Sequence, residues 1–209
     1  SILFEMLTGR RLFAGESEMS VLESVREGRI QAPRDLDPRL PLEVNALVLK
    51  ALARDPDDRF QSAGDMPREI DAILAQRGSR NVALVTHSMG GLVARAYLRR
   101  YGPAKVRQAI MIGAPHRGSV HARLFPGVSL AQLRPGNAWL AALNAEALPP
   151  GLPIVSIWSW HDSMVAPQLS SRLEGARDVE LAGIGHNALL TDPGVARLVV
   201  EELRRQASA

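Results

Sequence analysis

The chain has 209 residues, 46% of them hydrophobic and 22% charged, so it can bury a sizeable core and is neither disordered nor fibrous. It holds no cysteine, which excludes disulfides, thiolate nucleophiles and cysteine-ligated zinc. Net charge is only +3, lysine occurs only at Lys50 and Lys105 among 25 basic residues, and aromatics are 4%, so the basic excess and stacking platforms that nucleic acids need are missing.

No apolar run reaches the roughly 18 residues of a membrane span, and stable membrane insertion is not expected. Glu5 interrupts the first apolar stretch and no basic start precedes it, which is unlike a secretory signal; a cytoplasmic site of action is expected. Ile2, Leu3, Met6 and Leu7 have helical spacing with no N-cap before them, so the chain reads as opening inside a helix.

Residues 1–77 read as all helix. The first helix stops at Thr8-Gly9, and a second spans 16–27 with Met19, Leu22 and Val25 on one face. Turn residues follow at 32–38. A third helix begins at Leu40-Pro41 and runs to Ala53, with Val44, Leu47, Val48 and Leu52 facing inward. Ser62 is a candidate cap for a fourth helix at 63–76, interrupted or started at Pro67.

The stretch 4–10 (FEMLTGR), then Phe13, a helix, and residues 51–60 (ALARDPDDRF) resemble the C-terminal lobe of bacterial Ser/Thr protein kinases over about residues 1–76. In that family the arginine standing here as Arg59 pairs with a buried glutamate upstream, which this chain lacks. It also lacks a glycine-rich loop, a strand lysine, an HRD-type loop and a DFG metal site, so no kinase activity is expected.

Residues 78–209 change period. Short apolar or β-branched runs at 81–86, 106–112, 153–158 and 177–181 alternate with helical stretches at 90–101 and 193–206. Strand alternating with helix predicts an α/β domain with a parallel sheet. The joint is the polar Gly/Ser run at 77–80.

The most informative segment is 85–92, VTHSMGGL. A strand running straight into a helix pushes Ser88 above the sheet edge and aims the first N–H groups of the helix at the same spot, which suits a nucleophile and a developing oxyanion. The residue two places on must be small, and Gly90 meets that need; Thr86 stands where the G-x-S-x-G pattern has its first glycine. The alternative is a serine that merely caps the helix.

A serine hydroxyl needs a base in reach, and the base an orienting acid. Asp162 follows the strand at 153–158, and His186 follows the strand at 177–181, flanked by Gly183 and Gly185. Both therefore fall past strand ends, where side chains meet at the carboxyl edge of a parallel sheet. Asp178 is the rival acid but precedes its strand, and His161 is the rival base but comes early. His87 is expected to point away from the serine and to pack or bond structurally, and His116 and His121 to line or cover the site.

With these residues placed, 81–206 resembles the C-terminal portion of an α/β-hydrolase of the bacterial triacylglycerol lipase/esterase type. The stretches that carry the resemblance are 86–102 (THSMGGLVARAYLRRYG), 112–119 (IGAPHRGS), 160–167 (WHDSMVAP) and 183–193 (GIGHNALLTDP). It implies Ser88 as nucleophile, His186 as base and then acid, Asp162 as orienter, and the backbone N–H of Met89 as one oxyanion donor. Neither cofactor nor metal is implied. Residues 119–150, with Leu124, Phe125, Leu130, Leu133, Trp139 and Leu140, resemble a cap that would bind an acyl chain, although they serve equally as core.

A complete fold of this type has strands before the nucleophile strand and takes its second oxyanion donor from a loop there. Here helices stand in that place. About four strands are expected, with the nucleophile strand at an edge that either residues 1–77 or a second copy of the chain would cover. The reading is a short-chain serine esterase on a small-molecule ester; the alternatives are an inactive fusion fragment serving as a helical interaction module, and a thioesterase or phospholipase.

Overall fold

The computed structural model describes residues 4, 8, 10, 12, 30–40, 42–52, 65–124 and 128–205. It divides into two compact units, residues 1–79 and 80–209.

In the first unit three helices are described: α1 (Pro33–Leu36), α2 (Leu42–Ala51) and α3 (Asp65–Arg77). The single turn α1 forms within the run of turn residues read as loop. Pro33 presets the backbone angle of a first helical turn, and the Asp37 N–H closes that turn on the Pro33 carbonyl at 2.9 Å. The N–H of Arg34 donates to the Asn45 side chain at 3.0 Å, tying α1 to α2. Phe4, Val48 and Leu74 are buried. The helix expected at 16–27, Arg59 and the cap Ser62 lie outside the described residues.

The second unit is built on four parallel strands, β1 (Val82–His87), β2 (Val106–Ile112), β3 (Ile154–Ser159) and β4 (Arg177–Leu181), in spatial order β1-β2-β3-β4. Helix α4 (Met89–Tyr101) follows β1, α5 (Val128–Gln132) and α6 (Ala138–Asn144) lie between β2 and β3, and α7 (Pro193–Arg205) follows β4. This is the alternating architecture expected, with four strands and β1 at one end of the sheet.

Side-chain alternation on β2 sorts the core into two layers. Ala109 and Met111 pack with Ala94 and Leu98 of α4, while Ile110 and Ile112 pack with Val195 and Val199 of α7 on the other face. All six residues of β3 are buried. Because all strands run the same way, their carboxyl ends gather His87, Ile112 and Ser159 along one edge, and the loops leaving that edge carry Ser88, Asp162 and His186.

A third cluster joins Leu92 of α4 to Ala122, Leu133, Leu140 and Leu143, with Leu130 and Trp139 against it. These cap residues are thus core, the second of their two expected roles: their apolar faces are spent on packing over α4. Leu124 is exposed, and Phe125 lies outside the described residues.

Candidate active site

Ser88 sits between β1 and α4 with φ 55° and ψ −129°, the one non-glycine residue with positive φ among those described. Such a conformation costs on the order of 1–3 kcal/mol and is held by its surroundings. One restraint is local: the Ser88 N–H donates to the Ile112 carbonyl at 2.8 Å, extending the β1–β2 ladder into the turn. The Ser88 side chain makes no capping hydrogen bond to α4, so the serine is not there as a helix cap.

The tight position in this turn is one residue later than the sequence suggests. A Cβ on Gly91 would lie 2.5 Å from the Cβ of Ala114, whereas one on Gly90 would meet only the Thr86 Cβ, at an ordinary 3.5 Å. Helix α4 approaches the loop after β2 at Gly91. Thr86 is accommodated because it faces the bare Gly90, and its hydroxyl lies 3.4 Å from the Ile110 carbonyl.

Asp162 and His186 meet. Nδ1 of His186 donates to Oδ2 of Asp162 at 2.7 Å, and both residues are buried, at 6% and 2% exposure. The other carboxylate oxygen, Oδ1, accepts the N–H groups of Met164 and Val165, each at 2.8 Å. Burial alone would raise the Asp162 pKa. The bonds from His186, Val165 and Met164 outweigh it, and the carboxyl titrates below its usual range. An ionised acid therefore faces Nδ1 and fixes the tautomer, leaving the lone pair of His186 on Nε2.

Gly113 links this pair to the serine. It follows Ile112, has φ +56°, and a Cβ on it would lie 3.3 Å from Oδ2 of Asp162 and 3.4 Å from Cε1 of His186. Sequence reasoning passed over Gly113; the signal was a glycine standing directly after the apolar strand 106–112.

The other candidates separate. Asp178 pairs with Arg172 at 3.2 Å near the start of β4, away from His186. His87 packs and bonds within the fold: its Nε2 lies 3.1 Å from the His186 carbonyl oxygen and its ring packs 4.5 Å from the His186 ring. Burial first, then the electrostatic effect of the neighbouring His186, lower the His87 pKa to about 4, so this imidazole is neutral. His161 is exposed and accepts the Gly183 N–H at Nδ1. His116 is fully buried with both ring nitrogens unpartnered, and with Arg95 it lines a cavity of about 550 Å³ that includes none of Ser88, Asp162 and His186. His121 is half-buried in a short turn after β2.

Met89 opens α4, so its N–H belongs to the first turn, where helix donors have no partner within the helix. Among the described residues no group of three or more His, Asp or Glu side chains is arranged to hold a metal, and no helix is long and apolar enough to cross a membrane.

Residues 52–136 match a family model described as the alpha/beta hydrolase fold. That span begins within the tract read as kinase-like. Among solved structures, a lipase of Bacillus licheniformis in its mature form superposes with a TM-score of 0.56 at 16% identity, over 68% of this chain and 72% of its own. Lipase B of Aspergillus fumigatus does so with a TM-score of 0.51 at 20% identity, over 66% of this chain and 40% of its own. At these identities the likeness is one of fold.

The curated relatives include protein kinases. A probable serine/threonine-protein kinase of Streptomyces coelicolor is 41% identical over 97 residues, 46% of this chain. The tyrosine-protein kinase MasK of Myxococcus xanthus is 27% identical over 226 aligned residues, 94% of this chain. The chain spans 14% and 34% of their respective lengths. The match to MasK is long enough to include sequence from both units. This chain joins kinase-related sequence to a partial α/β-hydrolase fold.

Proposed function

We propose, from an α/β-hydrolase fold in residues 80–209, that the chain is a serine hydrolase of carboxylic esters. The observation that carries this reading is the buried 2.7 Å contact between His186 and an ionised Asp162; Ser88, in the strained turn between β1 and α4, supplies the hydroxyl it requires. A merely structural serine has no need of that backbone conformation.

In the proposed reaction, Ser88 Oγ attacks the ester carbonyl carbon while its proton passes to Nε2 of His186. The imidazolium is stabilised by Asp162, which stays ionised. The negative charge on the former carbonyl oxygen is met by the N–H of Met89 at the positive end of α4. The tetrahedral intermediate collapses, the C–O bond to the alcohol breaks, and His186 returns the proton to the leaving oxygen. Water then attacks the acyl-serine with His186 as base, releasing the acid and restoring Ser88.

Short acyl chains are favoured. Leu133, Leu140 and Leu143 of the cap are buried in packing against Leu92, so little of the cap is free to enclose a long chain. A missing oxyanion donor slows such reactions on the order of a hundredfold or more, so modest turnover is expected if Met89 acts alone.

The test is hydrolysis of p-nitrophenyl acetate and butyrate by the purified chain beside Ser88→Ala. Loss of activity with Ser88 supports the reading. Equal background rates overturn it and leave an inactive fusion fragment, whose helical unit would then be examined for partners. Faster turnover of thioesters or phospholipids would move the assignment to those acyl donors.

A further inference from the structure

Two imidazoles outside the triad hold the loop that carries His186. The β3–β4 ladder ends with Ser159 opposite Leu181. The Trp160 N–H still reaches the Leu181 carbonyl at 3.0 Å. One residue further the next rung comes from a side chain: the Gly183 N–H donates to Nδ1 of His161 at 2.8 Å. At the other end of the loop, Nε2 of His87 donates to the carbonyl oxygen of His186 at 3.1 Å, ring against ring.

His87 immediately precedes Ser88, and His161 immediately precedes Asp162. The loop 183–186 is thus held at each end by the neighbour of one of the other two triad members. The loop needs holding, because Gly183 turns with φ +77° and Gly185 adds a second residue of wide backbone freedom. Its other restraints include the bond of His186 to Asp162, the Leu189 N–H on the Gly185 carbonyl at 3.0 Å, and the packing of Ile184 against the core cluster of Ile110, Ile157 and Leu189.

We propose that His87 and His161 are positioning residues that clasp the loop 183–186 and set the place of His186 against Ser88 and Asp162. The chemistry of each bond assigns the tautomers. A carbonyl oxygen only accepts, so His87 carries its proton on Nε2; Nδ1 of His161 accepts, so its proton is on Nε2 as well. Neither ring touches substrate or exchanges a proton with it. The kinetic part of the test rests on the ester-hydrolase reading, and the spectroscopic part does not.

The experiment compares His161→Ala, His161→Asn, His87→Phe and His87→Gln, using p-nitrophenyl butyrate kinetics and the proton NMR signal of His186 Nδ1–H. Asn restores an acceptor for Gly183, and Gln restores a donor for the His186 carbonyl. With His161→Ala and His87→Phe, kcat is expected to fall about threefold to tenfold with KM unchanged, the effect of one lost hydrogen bond on a group that must be aligned. The Nδ1 signal should shift or broaden in both variants, and Asn and Gln should recover it along with kcat. His161 is exposed, so its variants carry the test if those at buried His87 fail to fold. Wild-type kcat and an unmoved signal in His161→Ala would overturn the clasp. Should the unaltered chain hydrolyse no ester beyond Ser88→Ala, the ester reading falls, and the Nδ1 signal alone decides: moved by His161→Ala it sustains the clasp, unmoved it ends it.

Discussion

The Ser88 nitrogen and the Ile112 carbonyl oxygen are 2.8 Å apart, and this one bond fixes the turn at Ser88 to the residue that precedes Gly113. Gly113 in turn lies against Asp162 Oδ2, His186 Cε1 and Leu189 Cδ1, with φ +56°. Gly113→Ala therefore meets both backbone strain and the Asp162–His186 pair. It is expected to lower stability by about 1–2 kcal/mol. It should also reduce ester hydrolysis by more than the folded fraction accounts for. Denaturant unfolding and initial rates on the same preparation check this; a stable variant with full activity would show that the pair tolerates displacement.

The two glycines at the start of α4, Gly90 and Gly91, should respond in opposite ways. Gly91→Ala puts a Cβ 2.5 Å from that of Ala114, and a loss of about 1–3 kcal/mol from overpacking is expected. Gly90→Ala meets an ordinary contact within a helix and should be neutral or stabilising by up to about 1 kcal/mol. Combining Gly91→Ala with Ala114→Gly should restore much of the loss. Thermal unfolding of the three variants decides it, and equal effects at 90 and 91 would contradict the packing described.

Stability should fall with acid over a defined range. Burial is the main reason that His87 titrates near 4 and His116 near 3 in the folded chain, the positive charge of Arg95 adding to it at His116. Unfolded, each takes up a proton near pH 6.5. Between those values the unfolded state binds more protons, so stability drops as pH falls from about 6.5 toward 4, by up to about 1.4 kcal/mol per pH unit for each histidine. Asp162 contributes lower down: its folded pKa is depressed, so its stabilisation is present above the ordinary carboxylate value and is lost as pH falls through the folded one. Urea unfolding in steps from neutral pH to about 4.5 measures the slope. A flat profile there would mean that the two imidazoles are not neutral in the fold.

Arg95 ties α4 to the end of α6. Its guanidinium donates to the Asn144 side chain at 2.8 Å and to the Leu143 carbonyl at 2.9 Å, at 5% exposure and with no carboxylate partner among the described residues. Burial lowers its pKa to about 10, which still leaves it charged at neutral pH. Arg95→Ala strands two acceptors and removes a packed stem, and a loss of about 2–4 kcal/mol is expected. Arg95→Met keeps the stem and should recover part of it. Identical unfolding midpoints for the two variants would assign the whole effect to the hydrogen bonds.

Much of this molecule is legible from residue order alone. Four apolar runs separated by helical periods dictate a parallel sheet, because such strands are joined by crossovers and are buried on both faces; β2 and β4 begin and end where those runs do. The serine between a strand and a helix, and Asp162 and His186 past two later strand ends, follow from the same logic, since parallel strands deliver their next loops to one edge. Contacts between chain-distant residues were decided only by the tertiary structure. That Gly91 rather than Gly90 is the close approach depends on where Ala114 falls, and that the cap leucines are core depends on α4 lying beneath them. The placing of His87 and His161 on the His186 loop depends on ring orientation about a side-chain torsion. Periodicity and local turn chemistry act between near neighbours and so are written along the chain; close packing and hydrogen-bond partners join residues dozens of positions apart, and only the folded backbone brings those together.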